Sequence, residues 1–118
     1  MGHFERQADQ LAHELGNLEE IEAIVEREWS RAREDLADQL ANGELIKADN
    51  RVVLAFGDVN DRLWSLYPEQ GEAALALCAR SPELGGKHVQ RLMFDLALEL
   101  VDAYADAFKN DLGAFYHD

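Results

Sequence analysis

Cations are scarce in this sequence. Only 11 lysines and arginines stand against 24 aspartates and glutamates, a formal net charge of −13 over 118 residues. A surface of that sign repels nucleic acid and anionic membrane and attracts basic proteins and divalent cations. Direct nucleic-acid binding, which needs a basic stripe to displace counterions from phosphate, is disfavoured. Cysteine is nearly absent too. Cys78 stands alone in an apolar stretch, so no disulfide can form within the chain, and the thiol reads as buried and inert. The chain has four histidines and neither a His-Glu-x-x-His segment nor paired cysteines, so no zinc site is expected. No serine sits in a Gly-x-Ser-x-Gly setting, and Gly85-Gly86-Lys87 is too short for a phosphate loop. No catalytic residue and no resident cofactor are therefore assigned. Long apolar runs are missing, and no basic segment followed by an apolar one opens the chain. The expectation is a cytoplasmic protein without a membrane span.

What is present is helical periodicity. Hydrophobic residues make up 47% of the chain, enough for one globular domain over residues 1–118. Phe4, Ala8, Leu11 and Leu15 predict a short amphipathic helix stopped near Gly16. Asn17 with Glu20 three residues on reads as a cap for a second helix. That helix carries Leu18, Ile21, Val25, Trp29, Ala32, Leu36 and Leu40, and Asn42-Gly43 ends it. Asp49-Asn50 reads as the cap of a third helix, through Val52, Phe56, Val59, Leu63 and Leu66, that closes at Tyr67-Pro68. A strand over Val52–Phe56 is the alternative, without a visible partner strand. A short alanine-rich helix from about Gln70 to Arg80 follows. Residues 81–86 read as a loop, or as one turn followed by a loop. The last helix is predicted from about Lys87 to Leu112 and ends in the partly aromatic tail Ala114-Phe115-Tyr116-His117. Val89, Met93, Leu96 and Leu100 form one of its stripes, and Phe94, Leu98, Val101 and Ala105 a second. The expected fold is all-α, a single bundle of about five helices with a long, largely buried C-terminal helix.

The one continuous polar face of that last helix is acidic. Asp95, Glu99, Asp102 and Asp106 recur at spacings of 4, 3 and 4, so they stack along one side. Like charges so placed repel by a few tenths of a kcal/mol per pair, roughly, so selection for folding alone would alternate their signs. The second helix carries Glu19, Glu22 and Glu26 at spacings of 3 and 4. Its arginines Arg27 and Arg33 have no acid three or four residues away on either side.

Three functions fit these patterns. The first is a non-enzymatic protein whose acidic residues, Asp95, Glu99, Asp102, Asp106, Glu19, Glu22 and Glu26, occupy a basic groove on a partner and inhibit it. If that groove holds nucleic acid, the protein is a nucleic-acid mimic, in the general character of small acidic phage inhibitors of antirestriction or anti-CRISPR type. The match to a phosphate strand is in sign and linearity. Helical rise sets neighbouring acids about 4.5 to 6 Å apart, whereas phosphates step by about 3.4 Å. The second follows from a resemblance. Glu19, Glu22 and Glu26 on one helix and Glu99-x-x-Asp102 on another resemble the layout of all-α nucleotide pyrophosphohydrolases of the MazG kind. That resemblance implies Mg²⁺-dependent removal of pyrophosphate from a nucleotide. The third is a helical assembly or adaptor module that forms a homodimer through Phe94, Leu98 and Val101. The binding protein is preferred. No basic set for a triphosphate accompanies either acidic motif, whereas both long helices carry net negative charge.

Overall fold

The computed structural model describes the backbone of residues 3–117 and the side chains of residues 18–112. Five helices and one two-stranded hairpin follow one another as α1 (His3–Ala41), β1 (Ile46–Ala48), β2 (Arg51–Leu54), α2 (Phe56–Leu66), α3 (Pro68–Arg80), α4 (Pro82–Ala103) and α5 (Ala105–His117). The all-α bundle expected from the periodicity is what forms. No described helix is long and apolar enough to cross a membrane. Several of the helices nevertheless begin and end elsewhere than predicted.

Gly16 and Asn17 do not separate two helices, because α1 runs through both without a break. A glycine inside a helix costs up to about 1 kcal/mol but keeps its amide for the backbone ladder. The side chains of Phe4, Ala8, Leu11 and Leu15, and those of the aromatic tail, lie outside the described residues. The C-terminal stop of α1 is where the sequence put it. Gly43 adopts φ 93°. The amide of Glu44 donates to the Gln39 carbonyl at 3.0 Å, and that of Gly43 to the Leu40 carbonyl at 3.1 Å. This Schellman arrangement satisfies carbonyls that the helix end leaves open.

Asp49 and Asn50 do not cap a helix. Both hold positive φ, 52° and 59°, and form the two-residue turn of the β1–β2 hairpin. Two successive left-handed residues are what a type I′ turn requires, and Asp and Asn tolerate them better than most. Ala48 pairs with Arg51 and Lys47 with Val52, and a register shift then lets Ile46 meet Leu54. The partner strand that β2 needs is thus only three residues long. Ile46, Ala48 and Leu54 face inward and are buried, while Lys47 and Arg51 stay exposed. The helix starts only afterwards, at Phe56, where the Asp58 carboxylate accepts the Ala55 amide at 2.8 Å.

The two prolines mark helix starts. Pro68 and Pro82 each open a helix directly after the preceding one ends, where a missing amide costs nothing. Residues 82–86 are therefore the first turn of α4 and not a loop. Gly85 is buried there because α3 and α4 cross closely at that point. A Cβ at Gly85 would fall within 2.7 Å of the amide nitrogen and the Sγ of the half-buried Cys78.

The predicted last helix is two helices. Tyr104 leaves the helical conformation (φ −105°, ψ 21°), and α5 begins directly after it at Ala105. Nothing local demands this break, since Ala103, Tyr104 and Ala105 include neither glycine nor proline. The break accompanies a tertiary contact. Phe108 stacks on Trp29 of α1, with ring centroids 6.1 Å apart and planes 15° from parallel.

The core is one cluster. Trp29, Ala37 and Leu40 of α1, the inward residues of the hairpin, Val59 and Leu63 of α2, Leu96, Ala97, Leu100 and Val101 of α4, and Phe108 of α5 pack together. Among the described residues no polar or charged side chain is buried. Helix α4 is central, since α1, α2 and α3 all pack against it.

Two neighbouring glycines separate packing from propensity. Gly85→Ala is expected to destabilise the fold by about 2 kcal/mol, as overpacking of a tight contact does. Gly86→Ala meets nothing within 4 Å and should stabilise it by about 0.5 to 1 kcal/mol. Urea unfolding of both variants beside the parent chain reads the two signs.

Candidate partner-binding surface

Helix α1 runs antiparallel to the α4–α5 pair, and the order of cross-helix contacts fixes the alignment. Arg33 meets Asp102, Trp29 meets Phe108, and Glu26 meets Lys109. The acidic residues singled out in the sequence divide into two kinds.

Glu99, Asp102 and Glu26 are engaged within the chain. Arg33 grips Asp102 with two parallel bonds, Nε to Oδ1 at 2.9 Å and Nη2 to Oδ2 at 2.7 Å. Such a fork is the strongest geometry an exposed ion pair can take. Arg62 of α2 donates from Nε to Glu99 at 3.0 Å, and the Tyr67 hydroxyl lies 3.3 Å from both oxygens of the same carboxylate. Lys109 of α5 donates to Glu26 at 2.9 Å and lies 5.9 Å from the centre of the Trp29 ring. Its ammonium thus joins a carboxylate to an aromatic face. Each pair ties one helix to another. Each is also solvent-exposed on at least one side, so it adds geometry more than energy, with about 0 to 1 kcal/mol usual for surface pairs.

Glu19, Glu22, Asp95 and Asp106 form the second kind. All four are exposed and have no ion-pair partner among the described residues. Asp95 stands on the outer face of α4, one helical turn before Glu99. Asp106 lies beyond the break at Tyr104, on α5, three residues before Lys109. The linear row is therefore Asp95, Glu99 and Asp102, and its two later members are held by arginines from the flanking helices. Arg33 has no acid on its own helix at pairing distance and finds one on α4; Arg27, with the same lack, has no ion pair among the described residues, so that signal alone does not pick out the pairs.

The bonds from Arg33 hold the Asp102 carboxyl below the ordinary carboxylate range, against the opposing effect of burial and with lesser help from the charges of Arg33 and Lys109. The Arg33 guanidinium is correspondingly raised, first by the bond to Asp102.

The other two sequence readings meet the same geometry. Glu99 and Asp102, the Glu-x-x-Asp of the pyrophosphohydrolase resemblance, each face an arginine. Among the described residues no three His, Cys, Asp or Glu side chains stand close enough to share a metal ion. In the self-association face, Val101 is fully buried in the chain's own core, and Phe94 and Leu98 are half-buried against that core. That face would have to rest on the exposed edges of Phe94 and Leu98 alone.

A carboxylate with a depressed folded pKa stabilises the native state above its ordinary value, 3.8 for Asp102, and ceases to do so as pH falls through the depressed value. Asp102→Asn should therefore be less stable than the parent at pH 6, and the difference should shrink as pH falls below 3.8 and through the depressed value. Guanidinium unfolding is unsuitable because the denaturant is itself a salt, so urea unfolding at a series of pH values is the measurement.

Comparison with models of known protein families, with curated proteins and with solved structures finds no match for this chain.

Proposed function

We propose that this protein is a non-enzymatic acidic binding protein that occupies a basic groove on a partner protein, of the kind that ordinarily holds nucleic acid, and thereby inhibits it. One observation carries this reading. Every described acidic side chain is exposed, apart from the half-buried Glu28, and only Glu26, Glu99 and Asp102 are paired with a cation. The negative charge is therefore presented outward and left largely uncompensated. Such a field accelerates encounter with a basic surface and repels acidic competitors.

The division among the acids refines where contact is made. Glu19, Glu22, Asp95 and Asp106 are exposed on α1, α4 and α5 without an ion-pair partner among the described residues, and they supply the electrostatic contact. Glu26, Glu99 and Asp102 give up part of their charge to Lys109, Arg62 and Arg33 and keep the presenting helices aligned. A phage protein that blocks a host nuclease would have this chemistry. So would any other regulator of a nucleic-acid-binding protein.

The test is affinity for candidate nucleic-acid-binding enzymes measured against salt. Binding should weaken steeply as ionic strength rises and the screening length falls to about 8 Å at 0.15 M. Reversing Glu19, Glu22, Asp95 and Asp106 to lysine together should reduce affinity at least tenfold at low salt and leave helical circular dichroism unchanged. Affinity that is indifferent both to salt and to these four reversals would rule the proposal out.

A further inference from the structure

The edge of the acidic face nearest α2 holds a feature that charge alone does not explain. The C-terminal end of α4 and the outer side of α2 enclose an open depression of about 260 Å³. Its base is apolar, formed by Leu54 and Leu100, which are 2% and 7% exposed. Its walls include two large hydrophobic groups left unusually open, Leu66 at 57% and Tyr104 at 48% exposure. Its polar lining includes Asp61 and Arg62, with Asp58 beside them.

The three charged groups are not equivalent. Arg62 has its Nε committed to Glu99, and Asp58 accepts the amide of Ala55. Asp61 has neither an ion pair nor a side-chain hydrogen bond among the described residues. The local balance is negative, because Asp58, Asp61 and Glu99 outnumber Arg62. An anionic ligand is thus opposed and a cation favoured. The size points the same way, since drug-sized ligands occupy roughly 300 to 1,000 Å³. A smaller open hollow suits a single side chain. A free carboxylate, an exposed phenol ring and an exposed aliphatic wall are together the partners of a guanidinium. The planar fork bonds a carboxylate, its face stacks on an aromatic ring, and its methylene stem covers apolar surface.

We infer that this depression receives one arginine side chain of the basic partner, with its guanidinium between Asp61 and the Tyr104 ring and its stem along Leu66. The inference rests on the acidic-binding reading and adds a point of shape recognition to it. The long-range field attracts any basic surface, whereas the depression selects one that projects an arginine at the edge of the acidic face. Glu99 joins the two, because it belongs to the α4 row and holds Arg62 at the rim.

The experiment titrates the full chain with N-acetyl-arginine amide, N-acetyl-lysine amide and N-acetyl-norleucine amide, followed by amide NMR shifts. Oligolysine binding is measured in parallel at low and high salt. The arginine derivative should give saturable shifts confined to the neighbourhood of Asp61, Leu66 and Tyr104, and the lysine derivative should bind several-fold more weakly. Asp61→Asn should weaken arginine binding at least tenfold and Tyr104→Leu about threefold, with oligolysine binding little changed in either variant. Shifts spread evenly over the acidic helices, or arginine binding unchanged by Asp61→Asn, would overturn the assignment. Salt-dependent oligolysine binding without a localised arginine response removes this site and leaves the acidic-surface reading standing. Binding of neither probe removes both.

Discussion

Helix α4 is apolar around most of its circumference, and water cannot be kept from such a helix by one neighbour. Leu96, Ala97, Leu100 and Val101 all lie below 10% exposure although they point in different directions around the helix. Helices α1, α2 and α3 are arranged to cover them. Only one strip of α4 remains outside, and its edges adjoin α1 on one side and α2 on the other. Asp102 and Glu99 occupy those two edges, where an arginine from each neighbour reaches across. The acidic strip therefore follows from the burial of the rest of the helix. The strip had to be polar, and acids there give the flanking helices a charge to lean on.

The same geometry explains what could be read from the sequence and what could not. The later part of α1 was legible because its stripe from Val25 to Leu40 is long and regular and Asn42-Gly43 marks a sharp end. The hairpin was not. A three-residue strand cannot display an alternation, and Asp49-Asn50 suits a helix cap as well as a left-handed turn. The division of the last predicted helix at Tyr104 left no local mark, and the contact that accompanies it, Phe108 stacked on Trp29, is remote in sequence. The five expected helices and the five observed agree in number through two compensating differences, one junction absent at Gly16 and one present at Tyr104.

For the acidic residues, the sequence made the charge and the spacing visible but not the pairing. Whether a carboxylate is free or engaged depends on which helices become neighbours. Asp95 and Asp102 look alike in the row, yet one meets solvent and the other a bidentate arginine. The depression beside α2 was hidden for a related reason. Asp61 and Leu66 come from α2 and Tyr104 from the junction of α4 and α5, which the α2–α3 and α3–α4 turns at Pro68 and Pro82 bring back beside α2. Residues on separate elements cannot announce a shared hollow through periodicity.

The core described above holds no polar or charged side chain. Fold and surface are consequently independent in a physical sense. A sequence whose interior depends on buried hydrogen bonds must conserve polar identities inside and out. This one can exchange nearly any unpaired exterior residue without leaving an orphaned donor or acceptor behind. Among the described residues, the three cross-helix pairs and the bond from the Asp49 amide to Asp111 link the outside to the alignment of the elements. Under pressure from a changing partner, the exterior charges can drift quickly while the interior stays still. Descendants of one such bundle would come to share a shape and little recognisable sequence.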